Sequence, residues 1–380
     1  MKVIHIFENL DRGAVENWLV NIFLKSRAIQ PNWQWTFFCI LPRKGELDEI
    51  VRENGGVIIY SNCELSDKFR FFNNLRNVLY NGQYDIIHMH HDFMNAFYIM
   101  ASIGSRAKLF SHIHNNDEII PVSNKIIRFV ILHLFRFITI IFSNRIIAIS
   151  KYTLKNFNKY YDKLVSSKSK ILYYGIEMER FGRSVDRNII LSRLMLSPDT
   201  KILLYVGRIN EDKNPLFILE ILKLFFSEGN QDVVCLFLGK GEYENTLKSR
   251  AEQMGLSSKV RMLGWVNDIV EIMKIADVFL FPRKLEPKEG LGLVVVESQC
   301  SGLPMLTTDG IVEDAIIEKD LVEKLPLDNV LLWKTRVEEI LKRNSIVDKT
   351  KVLNRMKLSK FELGIATTNF IELYKSALRY

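Results

Sequence analysis

The 380-residue chain has four cysteines, Cys39, Cys63, Cys235 and Cys300, and none forms a Cys-x-x-Cys pair. That excludes a zinc ribbon or a disulfide scaffold and fits reduced cytoplasmic thiols. No Asp-x-Asp occurs, so a carboxylate-held divalent metal has no obvious seat. No Gly-x-Gly-x-x-Gly occurs either, so the dinucleotide fingerprint is missing. The opening, MKVIHIFENLDRG, meets charge too soon for a signal peptide and is expected to be a first buried strand. There is no short-period repeat, low-complexity tract, zinc finger or RRM-like signature. A nucleic-acid partner is therefore not expected, although the net charge is +8.

What is present is an alternation. Apolar runs at 3–7, 35–40, 57–60, 86–88, 109–112 and 145–148 are predicted strands, with helical stretches such as 16–29 and 93–103 between them. The pattern restarts at 202–206, 233–238, 260–263, 278–281 and 305–307. Between the two sets lies 175–200, irregular and of mixed charge, which marks the domain boundary. Alternation of this kind predicts α/β units with parallel sheets. A length of 380 residues exceeds one ordinary core, and 48% hydrophobic with 25% charged residues is a globular composition. Two doubly wound units imply a cleft, with ligands at the carboxyl ends of strands. The charge is uneven: residues 1–180 hold 23 Lys+Arg against 16 Asp+Glu, and residues 181–380 hold 29 against 28. The first half is expected to face something anionic, a lipid surface rather than nucleic acid, or merely happens to be basic.

Several segments have the composition of a site. In LLYVGRINEDK (203–213) a strand ends at Gly207, and Arg208 and Lys213 precede a helix opened by Asn214-Pro215. Two cations beside a helix N-terminus suit phosphates, or are simply solvated loop charges. EGLGLVVVE (289–297) also follows a predicted strand. Glu289 falls in a glycine loop, and Glu297 falls inside the next helix near its start. Ionised carboxylates accept hydrogen bonds only, which suits sugar hydroxyls. An acid favourable to a helix N-terminus is the alternative for Glu297. DRGAVE (11–16) is a strand-to-helix turn at a phosphate-seat position. In SHIHNN (111–116), His112 and His114 are expected on opposite faces of a strand, so that one faces the cleft and a metal pair is not expected. His88, His90 and His91 cluster without a zinc-site spacing. In KIIRFVILHLFRFITIIF (125–142), Lys125, Arg128, His133, Arg136 and Thr139 share one side of a helix and apolar residues fill the rest. Such a helix suits a lipid interface with its cations on the polar face, or a berth on the first sheet, or both. It is too short and too charged to span comfortably.

Taken in order, Gly13 and Glu16, YDIIHMH (84–90), SHIHN (111–115), IIAISKYT (146–153), YYGIEMERF (173–181), YVGRINEDKNP (205–215), FLGKGEYENTLK (237–248), VRMLGWVNDIVEIMKIADVFLFP (260–282) and EGLGLVVVESQCSGLP (289–304) resemble glycosyltransferase family 4 over nearly the whole chain. The branch is that of bacterial capsule, exopolysaccharide and O-antigen enzymes. The resemblance implies a GT-B fold: two Rossmann-like doubly wound domains facing a cleft. It implies an acceptor-side domain at 1–178 and a nucleotide-sugar domain at 179–380, with a helix over 366–379 crossing back to the first. It implies a retaining, metal-independent hexosyltransferase with no cofactor. The donor is expected to be a UDP-sugar and the acceptor a lipid-linked saccharide, at the inner face of the cell membrane.

The residue roles implied are specific. Arg208 and Lys213 hold the donor diphosphate, Glu289 contacts the donor sugar, and Glu297 takes the ribose hydroxyls. Gly290, Leu291 and Gly292 meet the sugar through their amides, Gly13 and Gly207 lie near the phosphates, and Val266 completes the donor set. His114 is the histidine expected at the sugar end, with His112 second. Two features depart from the family pattern: Gly13 is followed by Ala14 rather than a second glycine, and RKLEPKEG (283–290) stands where small polar residues are common. A sugar-binding protein and an inactive scaffold are the competing classes.

Overall fold

A computed structural model describes residues 1–115, 123–159, 161–227, 229, 233–342 and 347–378. Asn116 and Arg379, which end two of the segments above, lie outside the described residues. The chain divides into two compact units, Met1–Ile176 with Leu363–Tyr380, and Glu177–Glu362.

The first unit is a seven-stranded parallel sheet. Its strands are β1 (Lys2–Phe7), β2 (Gln34–Cys39), β3 (Val57–Tyr60), β4 (Ile86–Met89), β5 (Lys108–Ile113), β6 (Arg145–Ala148) and β7 (Ser169–Ile171), in the order β3-β2-β1-β4-β5-β6-β7. Apart from its first residue β1 is buried throughout, as a strand covered on both faces must be. One face carries a core of Ile4, Ile6, Phe38, Phe71, Leu75, Ile87, Met89 and Tyr98. The other is covered by helix Ala14–Ile29 and by helix Leu363–Leu378, which buries Ala366, Phe370, Tyr374 and Ala377. Phe370 stacks on Trp35 at 5.7 Å.

The second unit repeats the theme with six parallel strands: β8 (Lys201–Val206), β9 (Val233–Leu238), β10 (Val260–Gly264), β11 (Val278–Phe281), β12 (Met305–Thr307) and β13 (Val322–Lys324). Their order is β10-β9-β8-β11-β12-β13. Side chains set the helix starts. Asp186 caps helix Arg187–Arg193 by accepting the Asn188 and Ile189 amides at 2.9 and 3.3 Å, and Ser150 caps helix Lys151–Asn158 through the Thr153 amide at 3.1 Å.

Some expectations are corrected. The stretch 175–200 is not irregular throughout, since it holds the 3-10 turn Met178–Gly182 and the helix Arg187–Arg193. The predicted helix at 93–103 is a 3-10 turn, Asp92–Met94, followed by helix Asn95–Ser102. Helix Lys125–Phe142 also presents itself differently. The side with its later polar residues turns inward: Thr139 is buried, Arg136 stands 5.8 Å over Phe157, and His133 meets Tyr161. The apolar side faces out instead, with Ile126 75%, Phe129 58%, Val130 57%, Leu134 52% and Phe137 46% exposed. Lys125 and Arg128 are exposed near its start, where Asn124 caps it. No helix among the described residues is long and apolar enough to cross a membrane.

Candidate functional site

In the second unit the expected donor residues cluster beyond the carboxyl ends of β8 and β11. Gly207 follows β8 with φ of +153°, and its carbonyl oxygen lies 2.1 Å from where a Cβ on Gly239 would stand. This close approach needs glycine. Arg208 is exposed. Lys213 is half-buried, before helix Leu216–Ser227, with its ammonium 5.2 Å over the Phe281 ring.

The segment after β11 crosses to this point. Its backbone is pinned by the Thr308 hydroxyl donating to Arg283 O at 2.6 Å, Lys284 N donating to Asp212 O at 2.9 Å, and Glu289 N donating to Gly310 O at 2.8 Å. Glu289 is thereby set against Lys213, which donates to its Oε2. Arg283, 6% exposed in its side chain, places its Nε 3.3 Å from the same oxygen. Burial pushes the Glu289 carboxyl up, but Lys213, Arg283 and Arg208 outweigh it and hold the group below its ordinary range. Burial lowers Lys213, and Arg283 and Arg208 add to this against the pull of Glu289. Gly292, at φ +76°, opens helix Leu293–Cys300; a Cβ there would lie 3.0 Å from Glu289 Cγ. Gly290 is half-buried and Leu291 buried in the same loop.

Glu297 lies mid-helix rather than near the start, half-buried. Burial raises its pKa to about 7, opposed only by Arg180. Arg180 lines an open cavity of about 520 Å³ with Glu177, Glu179, Arg183, Asn267 and Asp268. Val266 is half-buried beside Asn267 at this side of the unit, next to an exposed Trp265. Arg283 and Arg180 are the residues that sequence reasoning missed. The signal for Arg283 was a charged residue two positions after a buried strand, with Pro282 between.

In the first unit Gly13 opens helix Ala14–Ile29, and its close neighbour is Glu16, whose Oε2 would stand 2.0 Å from a Cβ at Gly13. Burial raises Glu16 to about 7, an effect that its own amide opposes and Glu8 and Asp11 reinforce. His114 and His112 do not point to opposite faces. Residues i and i+2 of a strand share a face, and these two rings stack at 4.1 Å. They join His5, His88 and His90 in one buried layer. His5 Nδ1 meets His90 Nε2 at 3.0 Å, and His90 Nδ1 meets His114 Nε2 at 3.0 Å. His114 Nδ1 then meets the Tyr174 hydroxyl, and His88 Nδ1 meets Tyr374 at 2.6 Å. The triads His5–His88–His90 and His90–His112–His114 bring ring nitrogens within 4.8 Å of one another. Neither triad includes a carboxylate. Burial keeps all five rings well below their ordinary pKa.

The family profile for glycosyl transferases group 1 matches residues 186–342, and that for glycosyltransferase family 4 matches residues 29–180. The capsular polysaccharide biosynthesis glycosyltransferase CapH of Staphylococcus aureus is 23% identical, over 99% of this chain and 99% of its own. The UDP-Gal:alpha-D-GlcNAc-diphosphoundecaprenol alpha-1,3-galactosyltransferase of Escherichia coli is 29% identical, over 50% of this chain and 47% of its own. Among solved structures, Anabaena HepE in complex with UDP and glucose matches with a TM-score of 0.80 at 15% identity, covering 99% of this chain and 100% of that one. The likeness shows the GT-B fold.

Proposed function

Since the chain belongs to the family 4 and group 1 glycosyltransferases, we propose that it serves polysaccharide biosynthesis and moves a hexose from a UDP-sugar to a lipid-linked saccharide with retention. The observation that carries this reading is the cationic seat after β8, where Arg208 and Lys213 stand beside the half-buried Glu289. Two relatives favour the chemistry of the substrates: HepE is seen with UDP and glucose, and the Escherichia coli enzyme acts on a diphosphoundecaprenol acceptor.

In the proposed reaction the bond from the sugar's anomeric carbon to the diphosphate breaks, and the acceptor oxygen bonds that carbon on the face being vacated. The acceptor proton passes to the departing diphosphate oxygen. Arg208 and Lys213 stabilise the charge that gathers on the diphosphate. Glu289 contacts the sugar hydroxyls, and the amides of Gly290, Leu291 and Gly292 bind beside it. The ribose hydroxyls donate to Glu297, with the nucleoside toward Val266. The expected alternative, a sugar-binding or inactive scaffold protein, is separated by a direct test. Purified protein given UDP-sugars and a lipid-linked saccharide releases UDP only if it is a transferase.

Glu297 gives a pH prediction. It binds hydroxyls as an ionised acceptor, yet its pKa without donor is about 7. Donor binding must then expel a proton at lower pH, and affinity is expected to fall about tenfold per pH unit below 7. A UDP-sugar is the right probe because its diphosphate diester does not titrate there. Glu297→Gln should weaken binding by about tenfold at pH 8, the loss of hydrogen bonds to a charged partner. It should also flatten the pH dependence. Calorimetry from pH 5.5 to 8 checks both, and a wild-type affinity that does not vary removes the assignment.

A lipid-linked acceptor calls for a membrane berth, and helix Lys125–Phe142 is proposed to supply it. Its outward apolar face inserts, and Lys125 and Arg128 meet anionic headgroups at about 1 kcal/mol each. Because the apolar face dominates, binding to anionic vesicles should weaken at high salt without vanishing. Replacing Phe129, Leu134 and Phe137 together by Gln should release the protein at any salt concentration while UDP binding persists. Co-sedimentation at low and high salt measures this. A wild type that stays in the supernatant with anionic vesicles at low salt would show the face serves something else.

A further inference from the structure

The segment RKLEPKEG, which departs from the family pattern, brings a second cation to Glu289: Arg283 Nε lies 3.3 Å from the same Oε2 that Lys213 meets. We propose that Arg283 is a positioning residue that retains Glu289 while Lys213 changes partner, from the Glu289 carboxylate to the donor diphosphate as the donor binds. The inference rests on the reading of Arg208 and Lys213 as the diphosphate seat.

The two cations differ in how they are held. Arg283 is fixed at several points. Its amide donates to Phe281 O at 2.8 Å, its carbonyl accepts from Thr308 at 2.6 Å, and its guanidinium donates to Pro287 O. Its side chain is 6% exposed. Lys213 instead reaches Glu289 at the end of a flexible four-carbon stem, a point charge that keeps no fixed donor geometry. Both address the same oxygen, Oε2. If Lys213 alone paired with Glu289, its departure would leave a half-buried carboxylate without that counter-charge next to an arriving dianion. With Arg283 in place the departure leaves an intact ion pair. The charges then close: Glu289 against Arg283, and Lys213 with Arg208 against the two negative charges of the diphosphate.

UDP binding by calorimetry, run as a double-mutant cycle, tests this. Arg283→Met should weaken UDP binding about tenfold or more, because Glu289 then holds Lys213 more tightly and resists its release. Arg283→Lys, which keeps a charge at the position, should bind within about threefold of wild type. In a Glu289→Gln background there is no carboxylate to retain, so adding Arg283→Met should change affinity less than about twofold. A wild-type affinity for Arg283→Met overturns the proposal. So does an equal loss in the Glu289→Gln background, which would mean that Arg283 only braces the loop. Lys213→Ala is the separate control for the underlying reading: if it binds UDP as tightly as wild type, the diphosphate seat itself is misassigned.

Discussion

Replacing Arg208 and Lys213 together by alanine is expected to lower the transfer rate by about ten-thousandfold or more, with the protein still folded. Removing one preorganised donor from a developing oxyanion costs about a hundred- to a thousandfold, and here two full cations leave. Arg208 is exposed and Lys213 half-buried, so neither truncation opens a core. Loss of Lys213 leaves Glu289 with Arg283 at 3.3 Å, which keeps a counter-charge in the loop. The double variant should therefore keep its circular dichroism and its melting curve while UDP release during transfer disappears. The same reading proposes that these cations serve where other transferases use a divalent metal. Wild-type turnover should then survive exhaustive chelation. A rate lost on chelation and restored by Mg²⁺ or Mn²⁺ would count against it, as would a double variant retaining a hundredth of the activity.

The parallel sheets were legible because strands buried on both faces read as near-continuous apolar runs, as in β8 and β9. Strands β7 and β13 were not, since three half-exposed residues with lysine or glutamate carry no periodic signal. The segments that build the site were visible as loops after strands, because glycine and charge interrupt the apolar pattern there. Arg283 was visible only as a residue without a role. Its meeting with Glu289 depends on contacts with Thr308 and Gly310, far along the chain, and no local spacing encodes those. The histidine layer comes from residues two apart sharing a strand face, and from the register that sets His5 beside His88 across β1 and β4, which no local spacing shows. Helix Lys125–Phe142 shows another limit. Periodicity reveals that a helix has two faces, but which one turns inward is decided by the surface it meets. Here Phe135 stacks on Phe93 at 4.4 Å and Arg136 covers Phe157.

Mild acid is expected to unfold the first unit before the second. All seven histidines of the chain lie within its first 133 residues. Six of them, His5, His88, His90, His91, His112 and His114, have pKa values lowered by burial, His91 to about 4 and His114 to about 3. In the unfolded chain each takes a proton near pH 6.5. Below that pH the unfolded state binds more protons than the folded one, so stability falls as pH falls through 6.5 and continues to fall toward the lowered folded values. Between pH 7 and 5.5 each ring contributes a loss of about 1 kcal/mol, or about 6–7 kcal/mol for six. Glu16 works the other way. Its folded pKa of about 7 exceeds the unfolded value, so protonation on acidification returns about 2 kcal/mol. Tyr98, Tyr174 and Tyr374, which face the rings, stay neutral in this range, and Asp92 accepts the His114 amide at 2.6 Å. A net loss of about 5 kcal/mol approaches the whole stability of an ordinary domain. The second unit has no histidine, and its Glu297, raised to about 7, gains rather than loses on acidification. Urea unfolding at pH 7 and 5.5 decides this. Trp18, Trp33 and Trp35 report the first unit, while Trp265 and Trp333 report the second. Two transitions should separate at pH 5.5, with the first unit's midpoint moving to much lower urea. A first-unit midpoint that is the same at both pH values would mean the histidine layer accepts protons without cost.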